Sequence, residues 1–117
     1  MQFLEEYQEI VSKAIDKYTF KDKPEELYAP MNYIISHGGK RLRPIMVLMA
    51  NDMFGGDLQK AVKPALAIEF FHNFTLIHDD IMDEAPLRRN KPTIHTLHGI
   101  NAGILSGDGL LLKAYKF

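Results

Sequence analysis

Apolar side chains recur along much of the chain at intervals of three and four residues, which is the period of an α-helix. The first run occupies five such positions: Leu4, Tyr7, Val11, Ala14 and Tyr18. Pro24 suits the start of a second helix that continues to Ser36, with a bend or restart expected at Pro30. Gly38 and Gly39 are expected to end that helix.

The later helices are predicted from similar signals. A third helix is expected from Arg43 to Met53, with three buried residues: Ile45, Leu48 and Met49. Asp57 is expected to cap a short turn, and Pro64 to open or kink a long helix that reaches Asp83. A loop over 84–91, a short helix over 92–97 and a helix over 101–117 follow. Three glycines weaken the last prediction: Gly103, Gly107 and Gly109.

Composition sets the class of protein. The chain has 117 residues, enough for one domain, and 46% of them are hydrophobic, which is typical of a globular fold. Val and Thr are scarce beside Leu and Ala, which favours helix over strand. A net charge of −1 argues against a general nucleic-acid binder, and the absence of cysteine excludes disulfides, zinc–thiolate sites and a thiol nucleophile. We expect a cytoplasmic protein without a signal peptide or a membrane span.

The nearly balanced total charge hides three strongly charged segments. Residues 38–44 carry three basic side chains, residues 79–84 carry four acidic ones, and residues 88–91 carry three basic ones. These segments are the strongest candidates for chemistry in the sequence.

The acidic segment contains Asp79, Asp80 and Asp83 at the end of the predicted long helix. Asp79 and Asp83 share a helical face, and acids at a helix C-terminus oppose its dipole unless a cation offsets them. Carboxylates at this density suit Mg²⁺, which needs one or two of them together with water and phosphate oxygens. A solvated acidic helix end would have the same sequence.

The basic segments suit phosphate groups. Gly38 and Gly39 permit close backbone approach, and Lys40 and Arg43 follow them near a helix start, where free N–H groups also favour anions. A second pair, Arg88 and Arg89, could clamp phosphates that a metal bridges. The alternatives are a helix cap followed by a basic turn, and simple charge compensation of the acids.

Histidines and aromatic residues flank the acids. His72 shares the helical face of Asp79, whereas His78 lies about 100° away; either suits a packed, hydrogen-bonded histidine as well as a ligand. Three aromatic residues precede the acids, which implies a ligand with an apolar part: Phe70, Phe71 and Phe74. Together these features predict binding of a hydrophobic diphosphate through Mg²⁺.

Three motifs in order resemble the trans-type polyprenyl diphosphate synthases. They are GGKRLRP at 38–44, LIHDDIMD at 76–83 and LRRNKPTIH at 87–95, with a further similarity at Ser106, Gly107 and Asp108. The resemblance implies an all-α fold, with residues 1–117 forming the N-terminal helices of an isoprenoid synthase-type bundle and part of a single domain. It implies condensation of isopentenyl diphosphate with an allylic diphosphate, with Mg²⁺ as the cofactor, and a homodimer.

The resemblance also implies individual roles. Lys40, Arg43, His72 and Arg89 would hold isopentenyl diphosphate. Asp79 and Asp83, with Asp80 beside them, would form the metal site of the allylic diphosphate, which Arg88 would contact. Phe74 and Thr75 would set the depth of the cavity, and the bulky Phe74 ring predicts a C15 to C20 product.

Two departures from the family pattern matter. Asn90 stands where the family usually has glycine. The family's second aspartate-rich motif is not present in these 117 residues, so we expect them to be nearly inactive by themselves. Two alternatives remain open, namely a non-catalytic helical subunit of a heteromeric prenyl synthase and an HD-type metal phosphohydrolase suggested by His78 and Asp79.

Overall fold

The computed structural model describes residues 2–18, 20–21, 24–36 and 39–117, except for the side chains of residues 2 and 3. This part of the chain is built from helices and one very small sheet, which confirms the predicted all-α fold. The elements are α1 (Gln2–Lys17), α2 (Glu25–Ser36), α3 (Leu42–Met53), α4 (Leu58–Met82), β1 (Leu87–Arg88), β2 (Lys91–Pro92), α5 (Ile94–His98) and α6 (Ile100–Lys116). No helix among these described elements is long and apolar enough to cross a membrane.

Helix α4 is the central element, and it packs most extensively against α6 and α3. Its buried side chains form one stripe that faces the core, including Ala65, Leu66, Phe70 and Ile77. Helices α1, α2, α3, α5 and α6 complete that core with Val11, Ile15, Met31, Ile34, Ile45, Leu48, Ile94 and Leu110. Helix α4 therefore carries His72 near its middle and Asp79 and Asp80 in its last turn, with Asp83 at its C-cap.

Helix α4 begins at Leu58, so the expectation that it opens at Pro64 is wrong. Asp57 caps it, because the Asp57 Oδ1 atom accepts a hydrogen bond from the Gln59 backbone N–H at 3.0 Å. Pro64 lies inside the helix. The buried stripe continues on both sides of the proline, from Ala61 to Ala65, so packing outweighs its usual cost of roughly 3 kcal/mol in a helix interior.

The first three helices follow the predicted pattern closely. Helix α2 begins one residue after Pro24 and runs through Pro30 without restarting. Helix α3 buries Ile45 and Leu48 as predicted, but Met49 is 45% exposed, so its predicted burial is wrong. The role expected of Gly38 in ending α2 lies outside the described residues.

The segment predicted as a loop over 84–91 contains a tight antiparallel hairpin, formed by β1 and β2. Leu87 pairs with Pro92, and Arg88 pairs with Lys91. The two-residue connection is Arg89–Asn90, with φ of 50° and 63°, which are the left-handed conformations of a type I′ turn. The usual Asn-Gly or Asp-Gly signal is absent from this turn, so the hairpin was not predicted.

Helix α5 begins two residues later than expected, and α6 matches its predicted range within one residue at each end. Gly103 and Gly107 do not break α6, because both are buried where α6 packs on α4. Ser106 is fully buried on the same helix, and its hydroxyl donates to the Ala102 carbonyl at 2.6 Å.

Candidate functional site

A basic cleft of about 430 Å³ lies between the start of α3, the middle of α4 and the hairpin turn. Four residues predicted to act together line it: Lys40, Arg43, His72 and Arg89. They come from positions up to 49 residues apart in sequence, so only the packing of three elements brings them together. Gly39, with φ of 88°, permits this arrangement, because a Cβ atom there would lie 2.9 Å from the Arg89 guanidinium carbon.

Arg43 and His72 are directly bonded within the cleft. The Arg43 Nη1 atom donates to His72 Nε2 at 3.1 Å, since a guanidinium has no acceptor. Burial, followed by the charge of Arg43, holds the pKa of His72 below its ordinary value, with Glu69 opposing this shift and Arg89 and Arg88 adding to it weakly. His72 is therefore a neutral imidazole in a strongly positive surrounding.

The cleft also contains one acid that the sequence motifs do not indicate. Glu69 is buried one helical turn before His72, and it lines the cleft. The Asn73 Nδ2 atom donates to the Glu69 side chain at 3.1 Å and to its carbonyl at 2.8 Å. An acid inside the apolar run of α4 was the signal for it, since carboxylates are rarely buried without a partner.

The three predicted acidic residues occupy two different environments at the end of α4. Asp79 and Asp83 are exposed, whereas Asp80 is 5% exposed. A hydrogen bond from the Asp83 backbone N–H to the Asp79 carbonyl at 2.8 Å keeps the two exposed residues one helical turn apart. The exposed pair is thus presented to solvent on one side of the helix end.

Asp80 faces the hairpin and is bound by Arg88. The Arg88 Nε atom donates to both Asp80 oxygens, at 3.1 and 2.9 Å, and Nη2 donates to Oδ1 at 2.7 Å. The Arg88 Nη1 atom takes no part in this pair. The hydrogen bonds and charge of Asp80 raise the pKa of Arg88, despite an opposing effect of burial.

The hairpin is also fixed at its far end. The Tyr33 hydroxyl donates to the Pro92 carbonyl at 2.8 Å, and the Thr93 hydroxyl donates to the Ala85 carbonyl at 2.8 Å. These bonds hold Arg88 and Arg89 on a short, anchored element beside the acids. The two arginines nevertheless face different partners, since Arg88 binds Asp80 and Arg89 reaches the basic cleft.

The exposed pair Asp79 and Asp83 fits Mg²⁺ chemically. Magnesium binds hard oxygen ligands and is commonly held by one or two carboxylates, with water and substrate phosphate completing its octahedron. In the described part of the chain, no three His, Asp or Glu side chains form a group able to hold a metal ion by themselves. Any cation at the end of α4 would therefore need oxygens from a bound ligand.

The three aromatic residues expected to line an apolar pocket do not act as one group. Phe70 is fully buried, and its ring packs at a tilt against Phe20 and edge-on against Phe117, with ring centroids 5.9 and 5.1 Å away, so its predicted role in the lining is wrong. On the other side of α4, Phe71 is 45% exposed and contacts the half-buried Phe74, with ring centroids 5.6 Å apart.

Thr75 lies beside Phe74 but has its polar group satisfied within the helix. Its hydroxyl donates to the His72 carbonyl at 2.6 Å. The half-buried side chain therefore contributes little more than its methyl group to any neighbouring apolar space.

The remaining histidines give no support to an HD-type phosphohydrolase. His78 packs on α6, where its Nε2 atom lies 3.3 Å from the Ile104 carbonyl and 3.5 Å from an Asp108 oxygen. His95 lies on α5 with a buried Nδ1 atom, and His98 ends that helix. In the part of the chain that the structure describes, the histidines form no metal-holding group with Asp79, and the alternative leaves the basic cleft without a function.

The all-α frame thus holds an anchored pair of arginines, a basic cleft and an exposed pair of acids. The polyprenyl synthetase family model matches residues 24–117, and the chain belongs to that family.

Similar proteins agree with this assignment. The chain is 42% identical to the geranylgeranyl pyrophosphate synthase of Geoglobus acetivorans, over 98% of this chain and 36% of that protein. It is 44% identical to the geranylgeranyl diphosphate synthase of Methanosarcina mazei, over 91% of this chain and 33% of that protein. The solved structure of the Geoglobus acetivorans synthetase matches 97% of this chain and 37% of its own, with a TM-score of 0.93 and 42% identity. The chain thus spans about a third of the length of these relatives.

Proposed function

We propose that this chain forms the diphosphate-binding portion of a prenyltransferase that condenses isopentenyl diphosphate head-to-tail with an allylic diphosphate. The observation that carries the proposal is the single cleft lined by Lys40, Arg43, His72 and Arg89. A cleft lined by four cationic side chains, those of Lys40, Arg41, Arg43 and Arg89, together with the imidazole of His72, suits a diphosphate. Membership of the polyprenyl synthetase family and the names of the relatives support this substrate class.

Isopentenyl diphosphate is assigned to the basic cleft. Arg43 and Arg89 can each present a planar pair of N–H donors to phosphate oxygens, and Lys40 adds a mobile point charge. His72 adds a hydrogen-bonding group without a further charge. Glu69 lies in the same cleft and lowers its net positive charge.

The allylic diphosphate is assigned to the exposed acids at the end of α4. Asp79 and Asp83 would hold Mg²⁺ through their carboxylates, with Asp80 in the buried layer behind them. When bound, Mg²⁺ would neutralise charge on the diphosphate oxygens and so favour departure of that group. Arg88 contributes positive charge at the same place while Asp80 fixes the orientation of its guanidinium.

The chemical step replaces a C–O bond by a C–C bond and releases one proton. The C–O bond of the allylic diphosphate breaks, and its electron pair leaves with the diphosphate. The alkene of isopentenyl diphosphate attacks the resulting allylic cation through a new C–C bond. A proton is then lost, which gives an allylic diphosphate longer by one isoprene unit. Fixed positive charge around the leaving group stabilises this step.

We further propose a C15 to C20 product, with Phe74 and Thr75 as the residues that limit its length. Phe74 is half-buried on α4, about one and a half helical turns before Asp79. Its ring is large enough to block further growth of the chain. The relatives named as geranylgeranyl diphosphate synthases favour the C20 end of this range.

A condensation assay tests the proposal. The protein is expressed from its complete reading frame and supplied with Mg²⁺, isopentenyl diphosphate and separate allylic primers, and the products are resolved by length. We expect a C15 or C20 product; the absence of any prenyl product would overturn the proposal. Arg43→Gln should raise KM for isopentenyl diphosphate about 10-fold or more, as expected for a lost charge-assisted bond. Lys13→Gln is the matched control, since Lys13 pairs with Glu9 on α1, outside the cleft.

Three further expectations are tested alongside. The same assay on the 117 residues alone tests the predicted loss of activity. Light scattering of the complete protein tests for a homodimer, and fractionation of the source cells tests for a cytoplasmic location.

A further inference from the structure

His78 is part of an aromatic row on α4, and its own ring contacts α6. The row is defined by Phe71, Phe74 and His78, whose spacing of three and four residues places them on one helical face. The Phe74 ring meets the imidazole of His78 edge to face, with centroids 4.7 Å apart and planes at 67°. The imidazole is therefore the neighbour that supports Phe74 from the C-terminal side of the row.

The position of His78 is set in turn by α6. Its Nε2–H donates to the Ile104 carbonyl at 3.3 Å, and the same atom lies 3.5 Å from the Asp108 carboxylate. The ring lies directly on the backbone of Gly107. A Cβ atom added at Gly107 would lie 2.5 Å from Nε2 and 2.6 Å from Cδ2 of His78. Those distances are far below van der Waals contact, so any side chain at residue 107 must displace the imidazole.

We propose that Gly107 and His78 are positioning residues that set product length by fixing the Phe74 ring. This inference rests on the proposed function, because it assumes that Phe74 limits the growing chain. It assigns a task to Ser106–Gly107–Asp108, a motif otherwise without a role in the site. Glycine is required at residue 107 because the imidazole occupies the space of a Cβ, and Asp108 lies on the polar edge of the same ring.

The same helix supplies a matched control one turn earlier. Gly103 also lies against α4, and a Cβ atom there would lie 2.9 Å from Cδ1 of Ile81 and 3.5 Å from Cβ of His95. Gly103→Ala therefore crowds the same interface between α4 and α6 without touching His78 or Phe74. A general loosening of the helix pair would affect both variants, whereas displacement of Phe74 is specific to Gly107→Ala.

The decisive comparison is the distribution of product lengths from the complete protein. We expect Gly107→Ala to shift the main product by one isoprene unit and Gly103→Ala to leave it unchanged. In a Phe74→Ala background, Gly107→Ala should cause no additional shift. Equal product distributions from wild type and Gly107→Ala, or a shift that persists in the Phe74→Ala background, would overturn the proposal.

His78→Ala provides a second route if Gly107→Ala does not fold. Removal of the imidazole leaves space into which the Phe74 ring can withdraw, so the main product should be longer by one isoprene unit. An unchanged product would contradict the proposal.

Crystal structures of Gly107→Ala and Gly103→Ala separate this inference from the proposed function. We expect the Phe74 ring to move only in Gly107→Ala, whether or not the protein makes a prenyl product. A Phe74 ring that stays in place would overturn the positioning role, whereas a moved ring in a protein without prenyltransferase activity would overturn only the link to product length.

Discussion

The Arg88 guanidinium grips both carboxylate oxygens of Asp80, with Nε at 3.1 and 2.9 Å and Nη2 at 2.7 Å, and so ties the hairpin to the last turn of α4. Its neighbour Asp79 points to solvent. Two adjacent aspartates in one motif therefore have separate tasks, since one organises the arginine and the other is available to a cation.

This division predicts that substitution of Asp80 lowers stability, whereas substitution of Asp79 changes the Mg²⁺ requirement. Asp80→Asn should lower the free energy of unfolding by about 2 kcal/mol, because it leaves a partly buried guanidinium without its charge partner. The expected loss of stability is smaller than for a fully buried ion pair, because the Arg88 side chain is 33% exposed. Urea denaturation of the protein measures the difference.

Asp79→Asn is the matched variant. Its stability should stay within about 0.5 kcal/mol of wild type, as expected for an exposed side chain. Its Mg²⁺ requirement, measured in the condensation assay, should rise instead. Equal loss of stability in the two variants would show that Asp80 has no special structural task.

The lowered pKa of His72 predicts a pH dependence of stability. Its ordinary pKa is 6.5, and burial together with Arg43 places the folded value lower. Below pH 6.5 the His72 side chain of the unfolded chain therefore binds a proton more readily than that of the folded protein. The contribution of neutral His72 to the free energy of unfolding is present above pH 6.5 and is lost as pH falls through the folded pKa. The charged groups around the ring are Arg43 from α3, Glu69 from α4, and Arg88 and Arg89 from the hairpin.

Unfolding curves collected from pH 5 to pH 8 check this expectation. His72→Gln keeps a hydrogen-bonding side chain but cannot titrate. As pH falls, the wild type should therefore lose stability relative to the variant. A constant difference across this range would contradict the lowered pKa. Inorganic pyrophosphate should raise the pKa of His72, which ¹H–¹⁵N NMR of the imidazole would detect.

The sequence predicted most of the helical fold because burial on α1, α3 and α4 follows a clear helical period. The predictions from sequence were wrong where tertiary packing outweighed a local preference of one or two residues. Pro64 was expected to open or kink α4, but α4 already begins at Leu58 and its buried stripe from Ala61 to Ala65 continues through the proline. The hairpin was missed because its turn uses Arg89 and Asn90 rather than a glycine-containing pair.

For the site, the motifs identified the charged residues but not their mutual arrangement. The sequence grouped Asp80 with Asp79 and Asp83 as metal ligands, and only the position of the hairpin shows that Asp80 is bound to Arg88. Glu69 was missed because one acid in an apolar run has no sequence partner that reveals its neighbours. The support of Phe74 by His78 depends on the crossing of α4 and α6, which no local pattern encodes.

Phe70 and Phe71 are adjacent in sequence, but their environments predict very different mutational effects. Phe70→Ala should lower the free energy of unfolding by about 3–5 kcal/mol, since it removes a fully buried ring from the core. Phe71→Ala, at a position 45% exposed, should cost less than about 1 kcal/mol. Chemical denaturation measures both values. Similar losses in the two variants would show that Phe71 also belongs to the core.

Two residues with left-handed backbones predict a further contrast in stability. Glu84, which follows the C-cap residue Asp83 of α4, has φ of 53°. The Ala85 N–H donates to the Asp80 carbonyl at 2.9 Å, and the Glu84 N–H donates to the Ile81 carbonyl at 3.1 Å. This is a Schellman-type end, at which glycine is strongly preferred. Glu84→Gly should therefore raise the free energy of unfolding by about 0.5–1 kcal/mol, because it relieves the left-handed strain.

Asn90→Gly is the comparison, because Asn90 has φ of 63° in the hairpin turn. Asparagine tolerates this conformation better than glutamate, so the gain should be only a few tenths of a kcal/mol. Thermal and urea unfolding of both variants test the order of the two effects, and alanine at residue 90 should be destabilising. A larger gain from Asn90→Gly than from Glu84→Gly would show that the strain lies in the hairpin turn and not at the end of α4.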